Sequence, residues 1–396
     1  MSRPRIAVLG GAVAGLAAAE RCRSFADVDL FERQSYDDKR VNCGEAINDV
    51  TLVPLAKTPE NGFVNRVDGF DIEVYASTDR PPGSPALRVS RLGVEHGYIT
   101  DRNVLERRWA ERLADRGVGV HEGANVTKSR YRELVADYDY VIDATGQPAL
   151  SWKVAGETDR YTGDLVALNA DVRGDFADRD RYRVPRVTFE GYVGYWWCFY
   201  KGPDRANVGI GWAGDERPDD YVAELHAACD RADAPRPDRE AIEFYTIPQG
   251  PSIDPRDVRP ASNVFLVGDA AGIANRYQGE GICQAIRSSV LLGDLLDAGR
   301  EAEYPRRLYR SMRGEYRLAA LMRGIWETTG SPEVVAEVVA AVDGLTVEEV
   351  TREPWAVLGR IARRPGLVAT VARRPAMLRR VVDAYADRWE YGETAV

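Results

Sequence analysis

Lysine, histidine and paired cysteines are what this 396-residue sequence has least of. Among 53 basic residues only Lys39, Lys57, Lys128, Lys153 and Lys201 are lysines, a bias that fits a GC-rich genome and carries no chemistry. His96, His121 and His226 lie far apart, and Cys22, Cys43, Cys198, Cys229 and Cys283 form no Cys-x-x-Cys pair, so a metal site has no support. An odd number of cysteines in a chain too long to need staples argues against a disulfide framework. No run approaches the roughly 18 apolar residues of a membrane-spanning helix, and the start leads straight into a strand without a signal-peptide core. The expected location is cytoplasmic. Basic residues are outnumbered by 62 acidic ones, and the net charge of -9 argues against a nucleic-acid partner.

What is present suffices for several cores. At about 150 residues per domain the length allows two to three units, and 44% hydrophobic residues supply their interiors. Arg5 to Leu9 read as a buried strand, followed by Gly10-Gly11-Ala12-Val13-Ala14-Gly15 and the Ala-rich run Leu16 to Arg23. A second apolar run, Val28 to Phe31, ends at Glu32, 22 residues after Gly10, with Arg33 beside it. This is the spacing of a dinucleotide-binding βαβ unit. Gly10 makes the turn, Gly15 permits close helix packing, the helix start around Val13 and Ala14 faces a pyrophosphate, and Glu32 accepts from a ribose. Ala12 takes the middle glycine slot, which a methyl group tolerates if φ stays negative.

Far downstream, Asn263 to Val267 form a strand ending in Gly268-Asp269-Ala270-Ala271-Gly272, and Gly279-Glu280-Gly281-Ile282 opens an apolar helix to Leu296. An acid at a strand end can bond a sugar or ribityl hydroxyl, and glycines at a helix N-terminus let amides approach a partly anionic ring. Two such loops, over 250 residues apart, point to opposite ends of one long cofactor.

With these blocks and Val141-Ile142-Asp143-Ala144-Thr145-Gly146, the sequence resembles the FAD-dependent oxidoreductases of the hydroxybenzoate-hydroxylase type. Within them it is similar to the geranylgeranyl reductase family. The narrower resemblance rests on Tyr195-Trp196-Trp197-Cys198-Phe199-Tyr200-Lys201, which looks like that family's Tyr-x-Trp-x-Phe-Pro-Lys, and on Asn42-Cys43-Gly44, which looks like its Cys-Gly element. It implies FAD as cofactor, held by Gly10, Ala12 to Gly15, Glu32, Arg33, Arg102, Ala144, Gly146, Gly268, Asp269 and the Gly279 to Ile282 loop. It also implies Cys43 close to the flavin as the catalytic candidate, and Tyr195, Trp197, Phe199 and Lys201 on the substrate. Three positions depart from the pattern: Tyr200 and Arg276 stand where proline is usual, and Glu45 replaces a second glycine.

The aromatic block also speaks by itself. Glu190 to Tyr200 and Asn207 to Trp212 read as an antiparallel hairpin in which Tyr195, Trp197 and Phe199 share one face and Trp196, Cys198 and Tyr200 the other. Both faces are aromatic. One face belongs to a core, and the other suits the floor of an elongated apolar cavity, with Lys201 at its mouth for an anionic head group. After Leu296 the pattern is helical over Tyr304 to Trp326, Pro332 to Val342, Val347 to Ile361 and Pro365 to Trp389. Ala362-Arg363-Arg364-Pro365 echoes in Ala372-Arg373-Arg374-Pro375, and Arg360 to Arg380 hold seven arginines and no acid, a composition suited to an anionic membrane surface.

The expected architecture is α/β. A Rossmann-like FAD domain (1–60, 95–155 and 255–300) is interleaved with a mixed-sheet substrate domain (61–94 and 156–254), and a helical domain follows (301–396). The expected function is reduction of isolated C=C bonds in a polyprenyl lipid, with electrons from a ferredoxin, NAD(P)H or another carrier. A flavin monooxygenase or halogenase, and a non-catalytic flavin-containing lipid-binding module, are the alternatives.

Overall fold

The computed structural model describes residues 3–41, 43–161, 165–176, 182–213, 216–247, 250, 254–275 and 278–386. Asn42, Arg276 and Trp389, which fall in the motifs and helices above, lie outside the described residues.

With strands numbered along the chain, β1 (Arg5–Leu9), β2 (Asp27–Phe31), β6 (Gly119–His121), β7 (Tyr140–Asp143) and β13 (Val264–Leu266) form one parallel sheet in the order β13-β7-β1-β2-β6. Ile6 to Leu9 are wholly buried because helices cover both faces. Ile6 and Val8 pack toward helices Val13–Cys22 and Ile282–Asp297, and Ala7 and Leu9 toward Tyr131 and Leu134 of helix Lys128–Asp137. A continuous apolar run, without alternation, is what such a strand requires. Leu9 pairs with Phe31 and with Asp143, and Asp143 with Leu266, so four strands end at one level. The residues that follow them, Gly10, Glu32, Ala144 and Val267, therefore gather along one edge.

The second sheet contains β3 (Ala46–Ile47), β4 (Phe63–Val74), β5 (Arg88–Thr100), β8 (Leu165–Arg173), β9 (Arg186–Phe189), β10 (Gly194–Gly202), β11 (Arg205–Trp212) and β12 (Glu243–Ile247). Their order is β12-β8-β11-β10-β9-β4-β5-β3, antiparallel except between β4 and β9. The boundary drawn at residue 94 falls inside β5. Hydrogen bonding from Val74↔Arg88 to Phe63↔Thr100 ties residues 95–100 to this sheet, and β3 joins it too. Along β10, Trp196, Cys198 and Tyr200 pack with Leu225, Ala228 and Cys229, the last three on helix Tyr221–Arg231. Trp197 lies on the other face above Gly209, where an added Cβ would come within 2.1 Å of the indole.

The C-terminal helices run Tyr304–Thr329, Pro332–Val342, Val347–Arg352, Pro354–Ala362, Pro365–Ala372 and Pro375–Tyr385. The helical run from Val347 breaks at Pro354, a break or start that the sequence itself marks, and the longer helix expected from Pro365 is interrupted at Pro375. Proline has no N–H for an i to i-4 bond but suits the first turn of a new helix. The ten-residue echo is thus a structural repeat over the last two helices, with Leu367 and Met377 buried at matching positions and Val357 buried in the helix before them.

Two glycines separate close packing from backbone freedom. Gly209→Ala drives a methyl into Trp197 and is expected to lower stability by about 1–3 kcal/mol. Gly359→Ala, in a helix with nothing within 4 Å of the new Cβ, is expected to raise it by about 0.5–1 kcal/mol. Urea unfolding of the two variants checks both signs.

Candidate active site

Two helices start at the same place. Val13–Cys22 packs along Ile282–Asp297, with the Ser289 hydroxyl donating to the Ala14 carbonyl at 2.8 Å and Arg21 paired to Asp294 and Asp297 at 2.6 and 2.9 Å. Neither N-terminus has a side-chain cap or an acid in its first turn. Their free amides and positive dipole ends remain available to an anion. The approach depends on small residues: a Cβ at Gly268 would lie 2.8 Å from the Ala14 Cβ and one at Gly293 2.5 Å from the Arg21 Cγ, and Gly15 lets its helix close onto the turn before it, where a Cβ would lie 1.8 Å from the Gly10 carbonyl oxygen. Ala12 has φ -84°, the negative value its methyl group needs.

These helix starts open onto a cavity of about 890 Å³. Ala12 to Ala14, Arg33, Ala144 to Gly146, Asp269 and Gly279 to Ile282 line one part, and Cys43, Gly44, Glu45, Arg102 and Tyr245 the middle. The rest is apolar: Tyr195, Trp197 and Phe199 of β10, Phe70 and Ile72 of β4, and Met322, Val339, Val342, Val347 and Val350 from the C-terminal helices. The alternating face read from β10 is therefore the cavity face, and its far wall comes from the helical region. Gly10, Gly15, Glu32 and Gly268 shape the edge without lining it.

The Cys43 loop is held by charge. Glu45 has φ +64°, the left-handed region that glycine favours, which is a physical reason for a glycine at this place in the pattern it departs from. The Glu45 side chain compensates: it accepts from the Arg102 backbone N–H at 2.8 Å and pairs with the Lys201 ammonium. Lys201 also meets Asp101 at 3.0 Å and Asp171 at 2.8 Å and is 5% exposed. It therefore does not stand at the cavity mouth as expected. Three carboxylates bury it, and an aromatic-strand residue fixes the Cys43 loop instead of receiving a head group.

Glu32 is held by internal partners. It is 5% exposed, accepts from the Gly11 and Gln34 backbone N–H groups, and pairs with Lys39 at 2.9 Å. Lys39 meets Glu106 at 3.1 Å, and Glu106 pairs with Arg102, whose guanidinium also faces the Cys43 sulfur. A buried chain of alternating charge thus runs from the first glycine turn to Cys43, and Arg33, not Glu32, lines the cavity. Lys39 and Glu106 left no motif.

Burial inside the cavity raises the Asp269 carboxyl above its ordinary value, opposed by Arg102, and burial together with Glu315 raises Glu280. Asn275 shapes the Gly279 loop, taking the Gly279 N–H on its carbonyl at 2.8 Å and giving its own N–H to the Glu280 carbonyl at 2.7 Å. Glu315 accepts from the Asn275 amide at 3.2 Å and from Arg287 at 2.8 Å. A glutamate on a helix stripe otherwise made of Met312, Tyr316, Ala319 and Met322 was the signal that could have marked it. Tyr245, whose hydroxyl burial pushes well above its ordinary range, offered no such signal.

Two glycine-shaped helix starts, an acid at a strand end and an adjoining apolar chamber define a flavin-dependent oxidoreductase. No protein-family model matches the chain. Among curated proteins it is similar to a digeranylgeranylglycerophospholipid reductase of Methanothrix thermoacetophila, 27% identical over 72% of this chain and 75% of that protein. It is also similar to the chloroplastic geranylgeranyl diphosphate reductase of Arabidopsis thaliana, 30% identical over 74% and 66%. A geranylgeranyl bacteriochlorophyll reductase-like protein of Thermoplasma acidophilum shares the fold at TM-score 0.67 and 18% identity, over 93% of this chain and 98% of that one. A flavin-dependent brominase does so at 0.65 and 14%, over 98% and 100%. Its similarity to geranylgeranyl reductases, together with the shared fold, places the chain among the FAD-dependent oxidoreductases.

Lys201→Met, close in size but uncharged, leaves Glu45, Asp101 and Asp171 facing one another and is expected to cost about 3–5 kcal/mol at neutral pH. Burial alone would raise Asp101, but Lys201 and Arg205 outweigh it and hold the carboxyl below its ordinary value. That contribution is present above the unfolded carboxylate pKa and lost as pH falls through the lower folded one. Without the ammonium the clustered carboxylates of the variant take up protons at higher pH, so the gap between wild type and variant should narrow as pH is lowered from 7 toward 4 and narrow further below it as the wild type loses the Asp101 contribution, measured by urea unfolding across that range.

Proposed function

We propose that this protein binds FAD and saturates isolated C=C bonds of a polyprenyl lipid chain. The observation that carries the reading is the cavity's change of character along its length, from amide-rich glycine loops, past Cys43, to a chamber of aromatic and aliphatic side chains. An alkene chain offers no polar handle, so its recognition rests on shape and apolar area, at about 0.8 kcal/mol per buried methylene. The names of the similar proteins, which are reductases of geranylgeranyl compounds, support the same substrate class.

The site fits the cofactor by its donor set. Two uncapped helix starts suit a pyrophosphate and the anionic edge of a flavin, and Asp269 suits a hydroxylated linker between them. When bound, the flavin supplies hydride chemistry. The chain supplies the rest. Trp197 and Phe199 exclude water and orient the chain, with Trp197 fixed by its indole N–H donating to the Asn207 side chain at 2.9 Å. Saturating one bond also takes one proton, and the Cys43 thiol and Tyr245 hydroxyl carry protons on the cavity wall beside Arg102. A ferredoxin, NAD(P)H or another carrier recharges the cofactor.

The purified protein is expected to be yellow and to release FAD on denaturation, and Asp269→Ala to lose most of it. A colourless protein that takes up no FAD ends the reading. Anaerobic turnover of geranylgeranyl lipids with dithionite should add H2 per double bond by mass spectrometry, and unchanged lipid with bound, reducible flavin would leave a lipid-binding module. Trp197→Ala is expected to shift which chain lengths are reduced by more than it lowers overall rate. Equal loss for every chain length, tracking the melting temperature, would return this indole to a purely structural role.

A further inference from the structure

We propose that the three Pro-initiated helices Pro354–Ala362, Pro365–Ala372 and Pro375–Tyr385 form a docking face for an anionic lipid bilayer. Val357, Leu367 and Met377 turn inward against Leu318, Met322, Val342 and Val350. What faces outward is apolar and cationic together. Four of the eight large apolar side chains exposed among the described residues fall here: Trp355 at 76%, Val382 at 60%, Val368 and Leu378. Val368 and Leu378 each follow the buried residue of their repeat, so the exposure recurs with the sequence echo.

Charge selects the occupant. Residues 354–382 carry seven arginines and no acid, so against a total of -9 this stretch is +7 and the remainder is -16. Arg364 pairs with Glu337 at 2.8 Å, Arg380 with Glu327 at 3.0 Å and Arg379 with Asp383 at 3.8 Å. Arg360, Arg363, Arg373 and Arg374 pair with no acid among the described residues. A nucleic acid would neutralise these cations and leave the apolar side chains in water, whereas an anionic interface takes both. The acidic remainder opposes approach in other orientations. No described helix is long and apolar enough to cross a membrane, so contact is interfacial, with Trp355 suited to the head-group layer.

The face also backs the cavity. Met322, Val342 and Val350 line the chamber and touch the buried side of these helices, so one layer of side chains separates the two. Delivery of a prenyl chain from the bilayer rests on the proposed function, but docking does not.

The test uses the full chain and vesicles free of prenyl lipid: phosphatidylglycerol with phosphatidylcholine, and phosphatidylcholine alone. Wild type should co-sediment with the anionic vesicles and release partly at high salt. Arg360→Gln, Arg363→Gln and Arg373→Gln together should weaken binding on the order of 100-fold at low salt. Trp355→Ser, Leu378→Ser and Val382→Ser together should abolish the part that survives high salt. The charge-matched change of exposed Arg108, Arg116 and Arg132 to Gln should bind like wild type, and thermal melts establish that all variants fold. No binding of wild type at low salt, or equal loss in the control, overturns the proposal. So does self-association or nucleic-acid binding that disappears in the two face variants while vesicle binding does not.

Discussion

Close packing of helix Val13–Cys22 against helix Ile282–Asp297 is the constraint on which the site depends. Each helix leaves strand ends of the same parallel sheet, and their alignment brings two uncapped N-termini to one edge, although about 270 residues separate them. The contact tolerates almost no side chain, since a Cβ at Gly268 would press on Ala14 and Ala285 of the two helices and one at Gly293 on Arg21, while Gly15 lets its helix close onto the Gly10 turn. Larger residues would part the helices. The free amides would then no longer converge, and the sheet edge would keep its shape without its binding property.

Around that edge, charge fixes what apolar packing leaves free. Glu45 stays in a left-handed conformation because its carboxylate has Lys201 and the Arg102 N–H to bind, and Lys201 extends from the same strand that carries Trp197 and Phe199. The Cys43 loop and the aromatic strand are therefore one mechanical unit. On the opposite side Glu315 reaches from helix Tyr304–Thr329 to Asn275 and so ties the helical region to the Gly279 loop. Both ties are buried, where an ion or polar group persists only with its partners in place.

The helical region serves two sides. Its inner residues close the apolar chamber, and its outer residues set a basic, partly apolar surface against an acidic molecule. Short helices beginning at proline suit this position, because each buries only one or two residues and leaves the remainder free to face outward.

Local pattern by itself determined the glycine turns, the acids at strand ends, the two faces of β10 and the existence of the C-terminal helices. Period-two alternation and strand-turn-helix spacing depend on near neighbours along the chain. The tertiary structure decided the far wall of the cavity, the internal pairing of Glu32 with Lys39, the burial of Lys201 and the place of Tyr245. The burial of Lys201 depends on Glu45 and Asp101, more than 90 residues away in sequence, and Lys39, though near Glu32, is held there with distant Glu106, contacts that leave no periodicity. A lysine at a turn reads the same whether it meets water or three carboxylates, and only the curling of its own sheet, which brings β8 and the residues flanking β3 and β5 to the end of β10, settles which one it meets.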